Sequence, residues 1–280
     1  MRWQGRRQSS NVEDRRGISS KGMIGGGLGG IVLVIVILLL GGDPTSLIQN
    51  IQTTDQSTTS QYSETAEEKE LAQFVSVVLA ETEDVWHNIF ADKGMEYREP
   101  KLVLFTGSVQ SACGVAGAST GPFYCPGDEK LYIDLSFYQE LQSRFKAPGD
   151  FAMAYVVAHE VGHHIQKLLG TMDKIQSLRS RLSEEEYNQY SVRLELQADF
   201  YAGVWAHYTD KIDGLLEEGD LDEALNAASA VGDDNIQKQM QGYVVPESFT
   251  HGTSAQRKQW FYKGYRTGDI EQGDTFNSRI

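Results

Sequence analysis

Apolar residues recur at helical spacing along much of the chain, and the first such stripe follows residue 64. Thr65 and Glu68 form the T-x-x-E pattern of a capping box, in which each side chain bonds the other residue's backbone N–H. Large apolar residues then continue at near-helical spacing as far as Ile89. Gly94 is a typical stop signal. The pattern predicts one helix between these limits.

A second helix is predicted over residues 150–170. Asp150 is a favourable N-cap residue, and Gly170 suits the position just after the last helical residue. The segment is mostly apolar, and its three histidines lie within residues 159–164. Three more helices are predicted by capping boxes and apolar spacing, over residues 183–207, residues 220–230 and a stretch beginning near Thr253.

Two short segments have the composition of β-strands. They are KLVLF at residues 101–105 and LYIDLSF at residues 131–137, and the loop between them contains both cysteines. Internal repeats are not visible in the sequence. Together the elements predict an α+β domain over residues 65–280 that is mostly helical and has a small β-sheet.

The N-terminal part of the chain has a different pattern. Residues 22–42 contain no charged side chain, and residues 31–40 are the aliphatic run IVLVIVILLL. About 20 apolar residues are enough to cross the hydrocarbon core of a bilayer, so we predict one transmembrane helix before the α+β domain. One alternative is a cleaved signal peptide, although no Ala-x-Ala site follows Leu40. The other alternative is a buried core helix.

Charge changes sign across this apolar segment. The formal net charge is −14, but the first 21 residues hold six basic and two acidic side chains, and the remainder carries −18. The negative charge of this remainder repels phosphate backbones, which argues against nucleic-acid binding. Basic residues favour the cytoplasmic side of a membrane. We therefore expect residues 1–21 to be a basic cytoplasmic head of a single-pass protein in the bacterial cytoplasmic membrane, with residues 65–280 periplasmic or extracellular.

A flexible linker is predicted between the anchor and the domain. Residues 43–64 are rich in Ser, Thr and Gln and poor in large apolar residues. Within the anchor, residues 25 and 29 and residues 26 and 30 form small-xxx-small glycine pairs, which predict a homo-oligomer through this segment. Flexible glycines at the start of a helix are the alternative interpretation.

Cys113 and Cys125 are the only cysteines, and the sequence has no C-x-x-C pattern. Outside the cytoplasm two thiols at this spacing usually pair, and closing so short a loop stabilises a fold by about 3 kcal/mol. We therefore predict a disulfide between them. Two free buried thiols are the alternative, and they become the better interpretation if the domain is cytoplasmic.

The strongest chemical signal is the motif HEVGH in the second predicted helix. Positions i and i+4 of an α-helix lie on one face, so the imidazoles of His159 and His163 can converge on one metal ion. Glu160 is about 100° round the helix, where it reaches a water on that ion without being a ligand. The motif predicts two zinc ligands with a general base beside them. The alternative is that these two histidines only form hydrogen bonds on the helix face. His164 points off this face and is not part of the predicted site.

A catalytic zinc ion usually has three protein ligands and an open position for water. Metzincins use a histidine six residues after the second ligand, but Leu169 occupies that place. In the next long helix Glu195 and Asp199 are four residues apart, on one face of an apolar run. We predict that Glu195 is the third ligand and that Asp199 accepts the remaining N–H of a ligating histidine. Alternatively, both carboxylates belong to a solvated face and pair with Arg193.

Five sequence blocks together resemble the neutral zinc metallopeptidase family of the YpfJ type: HEVGHH, ELQAD, GPFYCPGD, LYIDLSF and SFTHGTSAQR. The N-terminal MRWQGRRQSSNVEDRRG is also similar to that family's, so the likeness covers nearly the whole chain. It implies a membrane-anchored, zincin-like domain in which both histidines of HEVGH and, as in gluzincins, Glu195 bind zinc. Members of the family have cysteine where this chain has Phe200 and Gly273, which indicates that a second disulfide is missing here.

These residues predict hydrolysis by a zinc-activated water whose proton Glu160 accepts. The oxyanion needs a further donor, and His251 and Arg257 are candidates, with a cap or surface role as the alternative. We expect the substrate backbone to pair with the strand at residues 131–137 and so to become an added strand of the sheet. The predicted function is that of a membrane-anchored zinc metallopeptidase acting on a peptide or protein.

Two other functions stay open at this point. One is a non-catalytic, zinc-containing binding or scaffold protein, against which the glutamate between the two histidines argues. The other is a zinc amidase for a non-peptide or cell-wall substrate, which needs the same metal, base and oxyanion donor. Nitrogen and carboxylate ligands favour one catalytic Zn2+ ion, although manganese and cobalt accept similar ligands.

Overall fold

The computed structural model describes residues 1–17, 62–211 and 214–280. Helices account for most of the ordered elements in this part of the chain. The helices are α1 (Ala66–Asp92), α2 (Phe137–Ser143), α3 (Asp150–Leu168), α4 (Thr171–Gln176), α5 (Glu184–Lys211), α6 (Asp220–Ala230), α7 (Asp233–Gln241) and α8 (Ser254–Thr267). The strands are β1 (Val12–Asp14), β2 (Lys101–Phe105), β3 (Ser108–Ser111), β4 (Gly114–Gly117), β5 (Phe123–Cys125) and β6 (Lys130–Asp134).

Local sequence signals set the starts of two long helices. Thr65 and Glu68 form the predicted capping box at α1, with both reciprocal hydrogen bonds made. Thr253 and Gln256 form the same arrangement at α8. Each box gives partners to backbone N–H groups that have none inside the helix, and losing such a cap costs about 1 kcal/mol. The predicted starts of these helices are confirmed.

Helix α3, which carries HEVGH, is enclosed by other elements. Every residue from Phe151 to Gly162 is buried. The helix packs against α1, α5 and α6 and against strand β5. A helix with neighbours on several sides has to be apolar nearly all round, which explains the unbroken apolar run before the motif.

A four-stranded sheet lies beside this helical layer, with the strand order β1-β2-β6-β5. Strands β1, β2 and β6 are parallel, and β5 pairs with β6 in the antiparallel orientation. Alternate residues of β2 and β6 face the apolar core that the sheet shares with the helices: Leu102, Leu104, Leu131 and Ile133. The β3–β4 hairpin packs on the opposite face of the sheet.

The predicted disulfide between Cys113 and Cys125 is present, with the two Cα atoms 5.8 Å apart. Cys113 lies in the turn of the β3–β4 hairpin, and Cys125 is the last residue of β5. The bond therefore ties the hairpin to the edge strand of the main sheet.

The strand predicted at residues 131–137 forms over residues 131–134, but its predicted length and its predicted role in binding substrate are both wrong. Strand β6 ends at Asp134, and Phe137 is already the first residue of α2. The Asp134 carboxylate accepts hydrogen bonds from the backbone N–H groups of Gly107 and Ser136, which turns the chain at this point. In addition, β6 lies between β2 and β5, so both of its edges are already paired and it cannot take up a substrate strand.

Residues 1–17 belong to the same folded unit as the helices. Strand β1 pairs in parallel with β2. Arg6 forms an ion pair with Glu81 of α1 at 2.8 Å, and Arg7 forms one with Glu83 at 3.0 Å. The basic residues of this segment therefore neutralise acidic residues of the domain.

The N-terminal ammonium group of Met1 lies at the start of α3. It is 3.1 Å from a carboxylate oxygen of each of Asp150, Glu217 and Asp220. Burial on its own would lower the pKa of this ammonium group, but the surrounding carboxylates outweigh burial and raise the pKa. Asp150 begins α3 and Asp220 begins α6, so the cluster joins the starts of two helices.

The predicted fold class, an α+β domain preceded by one transmembrane helix, needs correction. Among residues 1–17, 62–211 and 214–280, no helix is long and apolar enough to cross a membrane. The predicted span at residues 22–42, its glycine pairs and the linker as far as residue 61 lie outside the described residues. The described fold is mostly helical with two small sheets. Ion pairs within the domain account for Arg6 and Arg7, so these two residues have a structural role besides the one that their charge pattern predicted.

Candidate metal centre

His159 and His163 project from one face of α3, one turn apart. Their ring centroids are 4.8 Å apart, and the rings are nearly perpendicular, at 83°. The two side chains are 8% and 12% exposed. Glu160 is also nearly buried, and it lines the same cleft, a cavity of about 520 Å³. The structure brings all three residues of the motif to one site.

Glu195 of α5 faces both histidines. Its Oε2 atom is 3.2 Å from Nε2 of His159, and its Oε1 atom is 3.4 Å from Nε2 of His163. An ion with tetrahedral bonds of about 2.0–2.2 Å holds its ligand atoms about 3.3–3.6 Å apart. The three donors therefore have the spacing and the chemistry of a zinc site.

Asp199, one turn after Glu195, is fully buried against His159. Its Oδ1 atom lies 2.8 Å from Nδ1 of His159 and accepts a hydrogen bond from the Tyr155 hydroxyl at 2.5 Å. Since Nδ1 donates to Asp199, the lone pair of Nε2 is left for an ion beside Glu195. Sequence reasoning missed Tyr155, whose one signal is its position four residues before His159.

The electrostatics of the site favour a cation. Burial opposes protonation of His159, but the Asp199 and Glu195 carboxylates outweigh it and raise the pKa of this histidine to about 9. Burial would also raise the pKa of Glu195, but the neighbouring histidines, with His163 foremost, hold it well below its usual range. A metal ion and these protons compete for the same lone pairs, so metal binding should release protons.

Gln166 orients the second histidine and was also missed. Its Oε1 atom lies 2.9 Å from Nδ1 of His163. Its Nε2 atom donates to the carbonyl oxygen of Leu194 at 2.6 Å, which fixes the orientation of the amide. Nδ1 of His163 must therefore be a donor, and its Nε2 atom faces Glu195. Gln166 is fully buried, so this arrangement is shielded from water.

Arg257 of α8 is 3% exposed and lies against Asp199. Its Nε and Nη2 atoms donate to the two carboxylate oxygens of Asp199 at 2.8 and 3.0 Å, and Nη1 donates to the Val231 carbonyl at 3.3 Å. Burial alone would raise the pKa of Asp199, but Arg257 and His159 lower it below its usual value. These bonds occupy the guanidinium, and they favour a role in holding Asp199 over the predicted role as oxyanion donor.

His251 lines the cleft with half of its side chain exposed. Its Nδ1 atom is 3.2 Å from Oδ1 of Asp233 and 2.9 Å from the Thr250 hydroxyl. The other oxygen of Asp233 accepts backbone N–H bonds from Thr250, His251 and Gly252, so this carboxylate holds the whole turn. Burial opposes the charged form, but Glu195 and Asp233 outweigh it and raise the pKa of His251. Asp233 was missed because 18 residues separate it from His251.

His164 does not belong to the candidate site. It is fully buried, with Nε2 donating to the Arg98 carbonyl at 2.6 Å and Nδ1 accepting from the Tyr124 hydroxyl at 3.0 Å. Burial lowers the pKa of this imidazole, in keeping with a neutral ring. Because Tyr124 is in β5, this histidine fixes the edge strand against α3. Gly121 and Tyr124 both line the cleft, so β5 and the residues before it form one of its walls.

The family model described as "Putative neutral zinc metallopeptidase" matches residues 1–276. The chain is 50% identical over 290 aligned positions to "Uncharacterized protein YpfJ" of Escherichia coli (strain K12), with 100% of both chains covered. It is 45% identical over 192 positions to "Uncharacterized protein Rv2575" of Mycobacterium tuberculosis (strain H37Rv), which covers 65% of this chain and 64% of that one. No solved structure matches the chain. The resemblance carried by the sequence blocks is confirmed, and the chain belongs to the putative neutral zinc metallopeptidase family.

Proposed function

We propose that the protein is a zinc-dependent peptidase in which the two histidines of HEVGH and Glu195 bind one zinc ion and Glu160 is the general base. The observation that carries this proposal is the 3.2 and 3.4 Å spacing from Glu195 to the two Nε2 atoms, in a cleft that Glu160 also lines. Structural zinc sites usually have four protein ligands and are closed, whereas three ligands at a cleft leave a position for water. Membership of a zinc metallopeptidase family supports the same function.

When bound at these residues, zinc lowers the pKa of its water to about 7 and polarises the substrate carbonyl. Glu160 accepts the proton of the attacking water and passes it to the leaving amine nitrogen. Within the described part of the chain, no side chain forms a hydrogen bond or ion pair with Glu160, so its carboxylate is free for this transfer.

His251 is the proposed hydrogen-bond donor to the oxyanion. Asp233 and Thr250 hold its Nδ1 side, and the raised pKa of His251 favours the doubly protonated ring, whose Nε2–H can then donate into the cleft. Removing such a preorganised donor from comparable sites lowers kcat by about 10²–10³-fold. Arg257 positions Asp199, and through it His159, without touching the substrate in this mechanism.

The substrate backbone is proposed to lie along β5. This strand is at the edge of the sheet, next to the cleft, and it pairs with β6 on one side. An extended peptide can add to the free side through backbone hydrogen bonds, as in other cases of strand addition. Strand β5 thus takes over the role that the sequence predicted for residues 131–137.

An oxidising compartment is the proposed location of the domain. The Cys113–Cys125 disulfide supports it, because such bonds persist mainly outside the cytoplasm. Residues 1–17 pack against the domain, which supports placing both in the same compartment. Fractionation of cells with thiol labelling tests this location, and a reduced, cytoplasmic protein would contradict it.

The test of the proposed function is proteolysis of an unfolded protein mixture by the purified full chain. The full chain is needed because residues 1–17 are part of the fold. We expect fragments whose formation is abolished by a chelator, restored by zinc and absent with Glu160→Gln. Cleavage that persists with Glu160→Gln, or zinc-loaded protein that cleaves nothing, would contradict the proposal.

A further inference from the structure

The wall of the cleft beside Glu160 is apolar. Val156 is four residues before Glu160, so it lies one turn away on the same face of α3. Phe137 of α2 and Phe145, just beyond that helix, line the cleft with ring centroids 6.1 Å apart. Gly121 meets them from the β5 side, since a Cβ there would be 3.6 Å from the Phe137 ring. The apolar wall therefore runs from the edge of β5 to the proposed general base.

The charges on this wall offset each other. Glu140 and Arg144 line it, with Nη1 of Arg144 3.6 Å from Oε2 of Glu140. Both side chains reach solvent, at 34% and 53% exposure. The Arg144 guanidinium carbon is also 5.2 Å from the centroid of the Phe145 ring, which keeps the group at the rim. A charged substrate side chain placed against the rings would lose water without gaining an opposite charge, which is costly.

We propose that Phe137, Phe145 and Val156 form an apolar subsite that binds a large apolar side chain next to the scissile bond. The inference rests on the proposed function, because the subsite is located by Val156, which lies one helical turn from the proposed general base Glu160. The substrate class is then an extended peptide segment with Phe, Leu, Ile or Met beside the cleaved bond. Folded proteins bury most such side chains, so the subsite selects unfolded chains and peptides.

The size of the preference follows from the buried surface. Leucine has three more carbon atoms than alanine, and partial to full burial of three such groups corresponds to about 10- to 50-fold in kcat/KM. Lysine should be disfavoured against the two rings, because Glu140, the acidic residue beside them, is already paired with Arg144.

The experiment compares zinc-loaded full-length wild type, Phe145→Glu and Ile236→Glu on quenched fluorescent peptides that differ in one residue beside the cleaved bond. Ile236 lines the same cleft from α7, so it is a matched control for a new carboxylate in the cleft. We expect the wild type to prefer leucine and phenylalanine over alanine. Phe145→Glu should lose that preference and gain relative activity on lysine, while Ile236→Glu keeps the wild-type order. A gain on lysine cannot arise from misfolding.

Two results would overturn the inference in distinguishable ways. If the wild type cleaves without an apolar preference, or Phe145→Glu keeps the wild-type order, the subsite is wrong and the peptidase function stands. If the zinc-loaded wild type cleaves none of the peptides, the proposed function and the substrate class fail together.

Discussion

Gly162, the fourth residue of HEVGH, lies against the backbone of Ala198 in α5, where an added Cβ would be 2.8 Å from the Ala198 carbonyl oxygen. Cβ atoms do not approach backbone that closely, so a side chain at position 162 would displace α5. Ala198 stands between Glu195 and Asp199 in sequence. The contact therefore sets the distance between the histidines of α3 and the carboxylates of α5.

Gly162→Ala should separate the two helices and weaken zinc binding together with stability. Overpacking of this kind costs about 1–3 kcal/mol in the free energy of unfolding. Urea unfolding and zinc titration of the folded protein measure the two effects. Gly203→Ala is the control, because Gly203 contacts Phe261 of α8 rather than α3. It should lower stability while leaving zinc affinity near the wild-type value, and equal zinc losses in both variants would contradict the explanation.

Gln166→Leu should weaken zinc binding by about 10–100-fold, the usual effect of removing a group that orients a ligating histidine. The variant keeps the side-chain size but removes the acceptor for Nδ1 of His163. Competition with a fluorescent zinc chelator measures the affinity. Gln197→Leu is matched in type and burial and lies in the same hydrogen-bond network without touching a ligand. An equal loss of affinity in Gln197→Leu would show that Gln166 acts through general packing.

His251→Gln should lower kcat by about 10²–10³ while zinc content stays at the wild-type level, because only the oxyanion donor is lost. Asp233→Asn should have a smaller effect in the same direction, since the turn loses its charged acceptor. Steady-state kinetics on one peptide, with zinc measured in the same samples, separates catalysis from metal loss. A normal kcat in His251→Gln would remove this residue from the mechanism.

Protonation of Glu13 should make the free energy of unfolding depend on pH in the acidic range. Hydrogen bonds from Lys130 and Arg15 outweigh partial burial and lower the pKa of Glu13 from 4.5 to about 2. A carboxyl group whose pKa is lower in the folded state stabilises the fold above its unfolded pKa and loses that contribution as the pH falls. Glu13→Gln should therefore be less stable than wild type near pH 7, with the difference shrinking between pH 4.5 and 2. Urea unfolding of both proteins across this pH range measures the difference in free energy of unfolding. A difference that does not change with pH would contradict the proposed contribution of the Glu13 ion pairs.

Helix periodicity was enough to find the proposed ligands. His159 and His163, and likewise Glu195 and Asp199, are four residues apart, and the structure brings the two pairs together across the α3–α5 contact. Tyr155 and Gln166 could not be found in this way, because their importance lies in contacts with another helix. Such contacts leave no pattern in the local sequence.

The family resemblance implies one structural relationship that periodicity cannot supply. It implies a pair of cysteines in other members at the positions of Phe200 and Gly273, and a Cβ on Gly273 would be 2.7 Å from the Phe200 ring. The two positions are therefore adjacent here, as a missing disulfide would require. The ring of Phe200 occupies the space beside Gly273 in this chain.

Short elements and the N-terminal segment were beyond the reach of sequence patterns. Helices α2, α4 and α7 have nine residues or fewer, and β3–β5 have four or fewer, so their periodicity has little length in which to show. Arginines before an apolar run are typical of a membrane-oriented head, but Arg6 and Arg7 pair with Glu81 and Glu83 of α1. Only tertiary structure distinguishes these two uses of a basic segment.

Elemental analysis of the purified full chain tests most directly whether three side chains from α3 and α5 bind one metal ion. We predict one equivalent of zinc in folded wild type and in Glu160→Gln, and a large loss of zinc in folded Glu195→Gln. Folded wild type without bound transition metal, or Glu195→Gln that retains zinc as firmly as wild type, would contradict the account.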